Sequence, residues 1–179
     1  MRRPTCDARR IAIAVVGGSL AGVGCIIPPS LSVDVQDAGI DSPPSITTVR
    51  SDLLELLKPG PYSFPKAPAA VDQTVTLTLL DTDVNDSLYA RIFVDYSVAS
   101  PTPPRSICPP ATSNGMPIRT TTCSLATLCL ATDDQTVHLM QIVVFDREPI
   151  DTDSETPFKA IPPGGQSTTR TYQLNCVDE

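Results

Sequence analysis

The sequence predicts an all-β domain, a single sandwich of about six to seven short strands preceded by a signal peptide and a disordered tether. Three observations carry this. Nineteen prolines in 179 residues fall largely in pairs, such as Pro43-Pro44, Pro103-Pro104 and Pro162-Pro163. Proline lacks the N–H that a helix interior or a central strand must donate, so the intervening segments suit short strands better than long helices. Within those segments apolar and polar residues alternate at period two, with threonine abundant beside valine and isoleucine, as on a half-buried pleated surface. Aromatic residues make up only 4% and Trp is absent, so the core must be built mainly from Val, Leu and Ile.

The leader is residues 1–24. Arg2, Arg3, Arg9 and Arg10 precede an apolar stretch from Ile11 to Gly24. As a helix, that stretch would reach roughly 21 Å, short of a bilayer core of about 30 Å. A basic start, a short apolar run and small residues at its end make a secretory signal. The run Leu20-Ala21-Gly22-Val23-Gly24-Cys25 resembles a bacterial lipobox, which implies cleavage before Cys25 and attachment of lipid to its sulfur. Gly22 departs from that pattern, which expects a Leu-type residue there. Gly22 and Gly24 would also suit ordinary signal peptidase. Ile26 follows in place of the Asp that signals inner-membrane retention, so the expected location is the outer membrane. Residues 25–45, rich in Pro, Ser and Asp, read as a flexible tether.

The folded domain is expected over residues 46–179. Ile46 to Arg50 is a short strand. Leu53, Leu54, Leu56 and Leu57 fit either a brief helix stopped by Pro59-Gly60-Pro61 or an irregular edge segment. From Val71 to Leu80, Val75, Leu77 and Leu79 alternate with Thr74, Thr76 and Thr78. From Leu88 to Val98, Leu88, Ala90, Ile92, Val94, Tyr96 and Val98 share one face, with Arg91 and Asp95 opposite. These two strands are expected to pair as a hairpin with an acidic tip at Asp81–Asp86. Pro117 to Cys123 is a short edge strand, and Ser124 to Ala131 a compact turn or short helix. Thr136 to Asp146 is apolar on both faces for much of its length and should be central. Thr168 to Cys176 closes the domain, with Tyr172, Leu174 and Cys176 on one face. The segments Asp81 to Tyr96 and Val137 to Asp146 resemble a strand pair and the penultimate strand of immunoglobulin-like and cadherin-like modules. The whole chain is similar to bacterial outer-membrane lipoproteins of unassigned role, which implies an address rather than a task.

Six cysteines are present, and Cys6 leaves with the leader. Lipid on Cys25 would leave an even four, as an oxidising compartment favours. If the last two strands pair antiparallel, Cys176 ends near Cys129. The expected bridges are therefore Cys108–Cys123 and Cys129–Cys176. Metal binding by these cysteines is not expected: no C-x-x-C pair occurs, and His138 is the only histidine.

Charge and motifs exclude several functions. Four Arg and one Asp precede Cys25, and the remainder carries nine basic and nineteen acidic residues. An acidic domain without a basic stripe argues against nucleic acid and against docking on anionic lipid by charge. The loop Asp81, Asp83, Asn85 and Asp86 offers the oxygen ligands that Ca²⁺ requires. Its start resembles an EF-hand loop, but Asp86 stands where Gly is needed and Ile92 where a bidentate Glu is needed. A cadherin-like site would draw on several loops, to which Asp151 and Asp153, or Asp146, would contribute. The competing reading is a polar turn, since Asp and Asn bond their own backbone. His138 lies in a strand with no nucleophile motif beside it, and Asp133 and Asp134 sit in a polar turn. Gly164-Gly165 lacks the Lys and helix of a phosphate loop. The expected function is a non-enzymatic, lipid-anchored envelope module that binds a protein or glycan or supports an assembly. The alternative is a Ca²⁺-dependent adhesion module using the Asp81–Asp86 loop.

Overall fold

Eight strands form two sheets in the computed structural model, which describes residues 41–51, 60–67, 73–152 and 155–178. The expected leader, Cys25, most of the tether, the Leu53–Leu57 segment and Asp153 lie outside the described residues. The strands are β1 (Ser45–Ser51), β2 (Tyr62–Pro65), β3 (Thr74–Leu80), β4 (Tyr89–Val94), β5 (Ser106–Ile107), β6 (Ile118–Ser124), β7 (Val137–Phe145) and β8 (Ser167–Val177). One sheet has the order β1-β3-β6 and is antiparallel; the other has the order β2-β8-β7-β4-β5, with β2 parallel to β8. Among the described residues there is no helix, and Ser124 to Ala131 resolves into turns.

Alternation decides what each strand buries. On β3, Val75, Leu77 and Leu79 are buried while the threonines between them face outward. Those threonines bond across strands: Thr48 to Thr78 at 2.8 Å and Thr76 to Thr122 at 3.2 Å. Cross-strand threonine pairs of this kind hold a solvent-facing sheet surface. The inner faces meet in one core, with Ile46, Val49, Val75, Leu77 and Leu79 from the first sheet and Ala90, Ile92, Met140, Ile142, Val144 and Leu174 from the second. Full burial of each large aliphatic side chain contributes roughly 1.5–3 kcal/mol.

β7 is central, between β8 and β4, as its two apolar faces predict. Its outer face is covered by a second cluster in which Phe93, Val143, Phe145 and Tyr96 pack with Tyr89, Phe158 and Ile161. The loop after β7 folds back over the sheet to supply Phe158 and Ile161.

Three expectations need correction. First, β3 and β4 do not form a hairpin. β3 pairs with β1 and β6, β4 pairs with β7 and β5, and the acidic loop carries the chain from one sheet to the other. The inward alternation of β3 and of β4 is the same whether the two strands are edge-paired in one sheet or stand in opposing sheets. Period two alone does not choose between them. Second, β4 ends at Val94. Asp95 takes φ +53°, which breaks the alternation, so Tyr96 packs on the outer cluster and Val98 is exposed. Third, the described residues form eight strands rather than six or seven. The additions, β2 and β5, are four and two residues long and lie among prolines. β2 approaches β8 through Gly60, where a Cβ would lie 2.2 Å from the Gln173 carbonyl oxygen and φ is +107°. Only glycine fits there.

The disulfides join Cys108 to Cys123 and Cys129 to Cys176, the two pairings expected from strand adjacency. Cys123 lies on β6 and Cys108 just beyond β5, so the first bridge ties the two sheets together. Their sequence separations of 15 and 47 residues correspond to about 3 and 4 kcal/mol of lost chain freedom in the unfolded state.

Candidate functional site

One end of the sandwich gathers charged residues from four segments: the lead-in to β1, the loop between β3 and β4, the start of β6 and the end of β7. Arg119 occupies an inward position of β6, in phase with Thr121 and Cys123, and is 3% exposed. Its Nη2 donates to Asp81 Oδ2 at 3.2 Å and to the Asp83 carbonyl at 3.1 Å, and its Nη1 donates to the Asp86 carbonyl. Asp81, 2% exposed, also accepts the Asp83 amide at 3.0 Å. Burial pushes its carboxyl pKa up, against the pull of the Asp83 amide and of Arg119. The acidic loop is thus wrapped around a cation supplied by the chain itself.

Of the four expected metal ligands, Asp81 is committed to this ion pair. Asp83, Asn85 and Asp86 line an open concavity of about 330 Å³ together with Asp41, Thr82, Val84 and Arg147. Asp83 Oδ2 accepts the Ser42 amide at 3.0 Å, which pins the lead-in to the loop. Arg147 reaches Asp41 at 3.7 Å. Asp146 adjoins Asp41 and is 3% exposed. Its Oδ2 accepts the Gln166 amide at 2.6 Å, while its Oδ1 has no hydrogen-bond donor, and neither has either oxygen of Asp41. Burial raises the pKa of Asp146; the Gln166 amide and the nearby Arg147 oppose this, and the Asp41 carboxyl, within hydrogen-bonding reach, adds to it. Asp151 is elsewhere, paired with Arg91 on the outer face of the larger sheet.

A second cluster surrounds His138. Its Nδ1 lies 2.6 Å from Asp95 Oδ2, and its Nε2 lies 3.2 Å from the Asp134 carbonyl and 3.3 Å from Asp134 Oδ1. Burial would lower the imidazole pKa, but hydrogen bonds to Asp95 and Asp134 and the nearby carboxylates leave it raised above 6.5. The left-handed backbone at Asp95 turns that side chain back, so that its Oδ1 also accepts the Leu139 amide at 2.7 Å. Asp133 accepts both arms of the Arg105 fork, at 3.0 and 3.2 Å. Burial opposes ionisation there, but Arg105 and the Leu130 amide outweigh it and leave the pKa lowered. Asp133 also lies near the sulfurs of Cys129 and Cys176, with ligand atoms within 4.8 Å of one another. Those sulfurs are bonded to each other, so no thiolate is available to a metal.

Lys159 stands over the rings of Phe93 and Tyr96, at 4.6 and 4.0 Å from their centroids, and donates to Gln141 Oε1. Burial lowers its amine pKa to about 8. Arg119, Asp41, Asp95 and Lys159 were not singled out by sequence. Only Arg119 carried a legible signal, its parity with Thr121 and Cys123.

No family model matches the chain, and no curated protein matches it.

Proposed function

We propose that the chain is a lipid-anchored module of the bacterial envelope, held at the outer membrane through Cys25, whose immunoglobulin-like sandwich binds a protein or glycan or supports an assembly without catalysing a reaction. The observation that carries this reading is the state of the cysteines. Cys108, Cys123, Cys129 and Cys176 are bonded in two pairs, as suits an oxidising compartment. Beyond the leader they leave Cys25 alone, directly after an apolar run that ends in small residues. The strand order supports the immunoglobulin-like reading. In that fold strands A, B and E share one sheet, and C, F and G the other. Here β1, β3 and β6 stand in the first set of positions and β4, β7 and β8 in the second. A binding or structural role is supported by the commitment of Arg119, Arg105 and His138 to internal pairs with Asp81, Asp133 and Asp95. An adhesion module with Ca²⁺ in the Asp81–Asp86 loop alone has less support, because Arg119 already takes that loop's inner oxygens.

The test is intact-mass and N-terminal peptide mass spectrometry on protein purified from host membranes. The expected result is diacylglycerol on Cys25 with the other four cysteines oxidised. An unmodified Cys25, or a chain still carrying residues 1–24, overturns the anchor.

A further inference from the structure

We propose that Asp41 and Asp146 form a binding site for a divalent cation, Ca²⁺ by preference, where the lead-in to β1 meets the end of β7. This goes beyond the anchored-module reading and does not depend on it.

The geometry begins with what these carboxylates lack. Asp146 is 3% exposed, and its Oδ1 is buried without a hydrogen-bond donor. Both oxygens of Asp41 are buried in the same condition. The two side chains lie within hydrogen-bonding reach of each other and neither brings a donor while both are ionised, so the pair is satisfied by a shared proton, toward which the raised Asp146 pKa leans, or by a bound cation. A buried negative pair of this kind is costly unless a positive charge joins it. Arg147 fills that role only in part: it approaches Asp41 to 3.7 Å without a hydrogen bond, and its Nη1 donates to the Pro163 carbonyl at 3.1 Å. At the same end of the sandwich, Asp81 shows how the chain compensates a buried carboxylate when it supplies the cation itself.

The donor set suits a hard cation. Asp41 Oδ1 and Oδ2 and Asp146 Oδ1 are all oxygens; Asp83 lines the adjoining concavity with Asp41, but its carboxylate does not come within ligand reach of both. Gly165 packs directly against the pair: a Cβ there would lie 2.4 Å from Ile161 Cγ2 and 3.1 Å from Asp146 Oδ1, so only glycine lets this backbone approach Asp146. Ca²⁺ accepts six to eight oxygens at about 2.3–2.6 Å in irregular geometry and takes waters to complete its shell, whereas Mg²⁺ demands a tighter octahedron. A site of three carboxylate oxygens from two segments, completed by water, matches the former.

The experiment is calorimetric titration with CaCl₂, and with MgCl₂ in parallel, on the full chain freed of metal by chelator, together with thermal melting. The expected result is saturable heat with Ca²⁺ and weaker heat with Mg²⁺. Melting should rise by roughly 5 °C or more at a hundredfold excess over the Kd. Asp146→Asn and Asp41→Asn keep side-chain shape and are each expected to weaken Ca²⁺ binding at least about tenfold, while Asn85→Ala changes it less than about twofold. Absence of both heat and melting shift overturns the site, as does binding retained in both aspartate variants. Loss in Asn85→Ala with retention in Asp146→Asn would place the ion in the loop and overturn the assignment. An aspartate variant that fails to fold is replaced by Asp146→Glu, which keeps the charge but displaces the carboxylate and is expected to weaken binding as well.

Discussion

Two aspartates at the same end of this sandwich, Asp81 and Asp146, are buried to the same degree, at 2% and 3% exposure, yet they are treated oppositely. Asp81 meets a guanidinium, a backbone amide and a loop folded around both. Asp146 meets one amide and a second carboxylate. Burial raises the pKa of both groups, but only Asp81 has a cation of the chain's own in hydrogen-bonding contact. A buried charge is therefore not one structural category. Its meaning depends on whether the fold completes the pair or leaves it open.

The sharpest way to break this contrast is at Arg119. Arg119→Met strands Asp81 as an uncompensated buried charge and is expected to cost about 3–5 kcal/mol in chemical denaturation. The double variant Asp81→Asn with Arg119→Met should recover most of that loss. A single variant within 1 kcal/mol of the parent, in the range of about 0–1 kcal/mol typical of surface pairs, would mean that the guanidinium is not what holds the loop.

At Asp146 the expected sign is reversed. In chelator, Asp146→Asn supplies an amide donor to Asp41 and removes one charge, so it should stabilise the protein by about 1–3 kcal/mol. In excess Ca²⁺ the same substitution should destabilise it relative to the parent. A change of equal sign in both buffers would erase the distinction between the two aspartates.

The smallest effect belongs to His138, a paired charge at the rim rather than in the interior. Its pKa is raised in the folded state. The pair therefore contributes its full stability below the unfolded value of about 6.5 and loses it as pH rises through the folded value. Because Asp95 is 52% exposed, the effect should stay below about 1 kcal/mol. His138→Gln should flatten the stability profile across that window, and NMR titration of the imidazole should place its midpoint above 6.5. A midpoint at or below 6.5 would remove the Asp95 contact from the account.

Much of the fold was legible from local pattern. The alternation of β3 and the doubly apolar run of β7 marked those strands, and an antiparallel pairing of the last two strands put Cys176 beside Cys129 and left Cys108 with Cys123. β2 and β5 were hidden because prolines and short length leave no period to detect. The candidate site was less legible. The Asp81–Asp86 run is visible as composition, but the residue that decides its chemistry, Arg119, lies 38 positions away from Asp81. Asp41 and Asp146 are more than a hundred residues apart in a sequence where single aspartates are common.

By itself the sequence determined the all-β class, the inward faces of β3 and β8, the central character of β7 and the acidic balance, because each depends on residue type or period-two spacing; the cysteine pairing followed once the last two strands were taken as antiparallel neighbours. Only the tertiary structure decided which sheet each strand joined, that β3 and β4 part company at the acidic loop, and which carboxylates receive a cation from the chain. Those outcomes depend on long-range edge pairing and on the solvation of individual buried charges, and neither leaves a periodic mark along the chain.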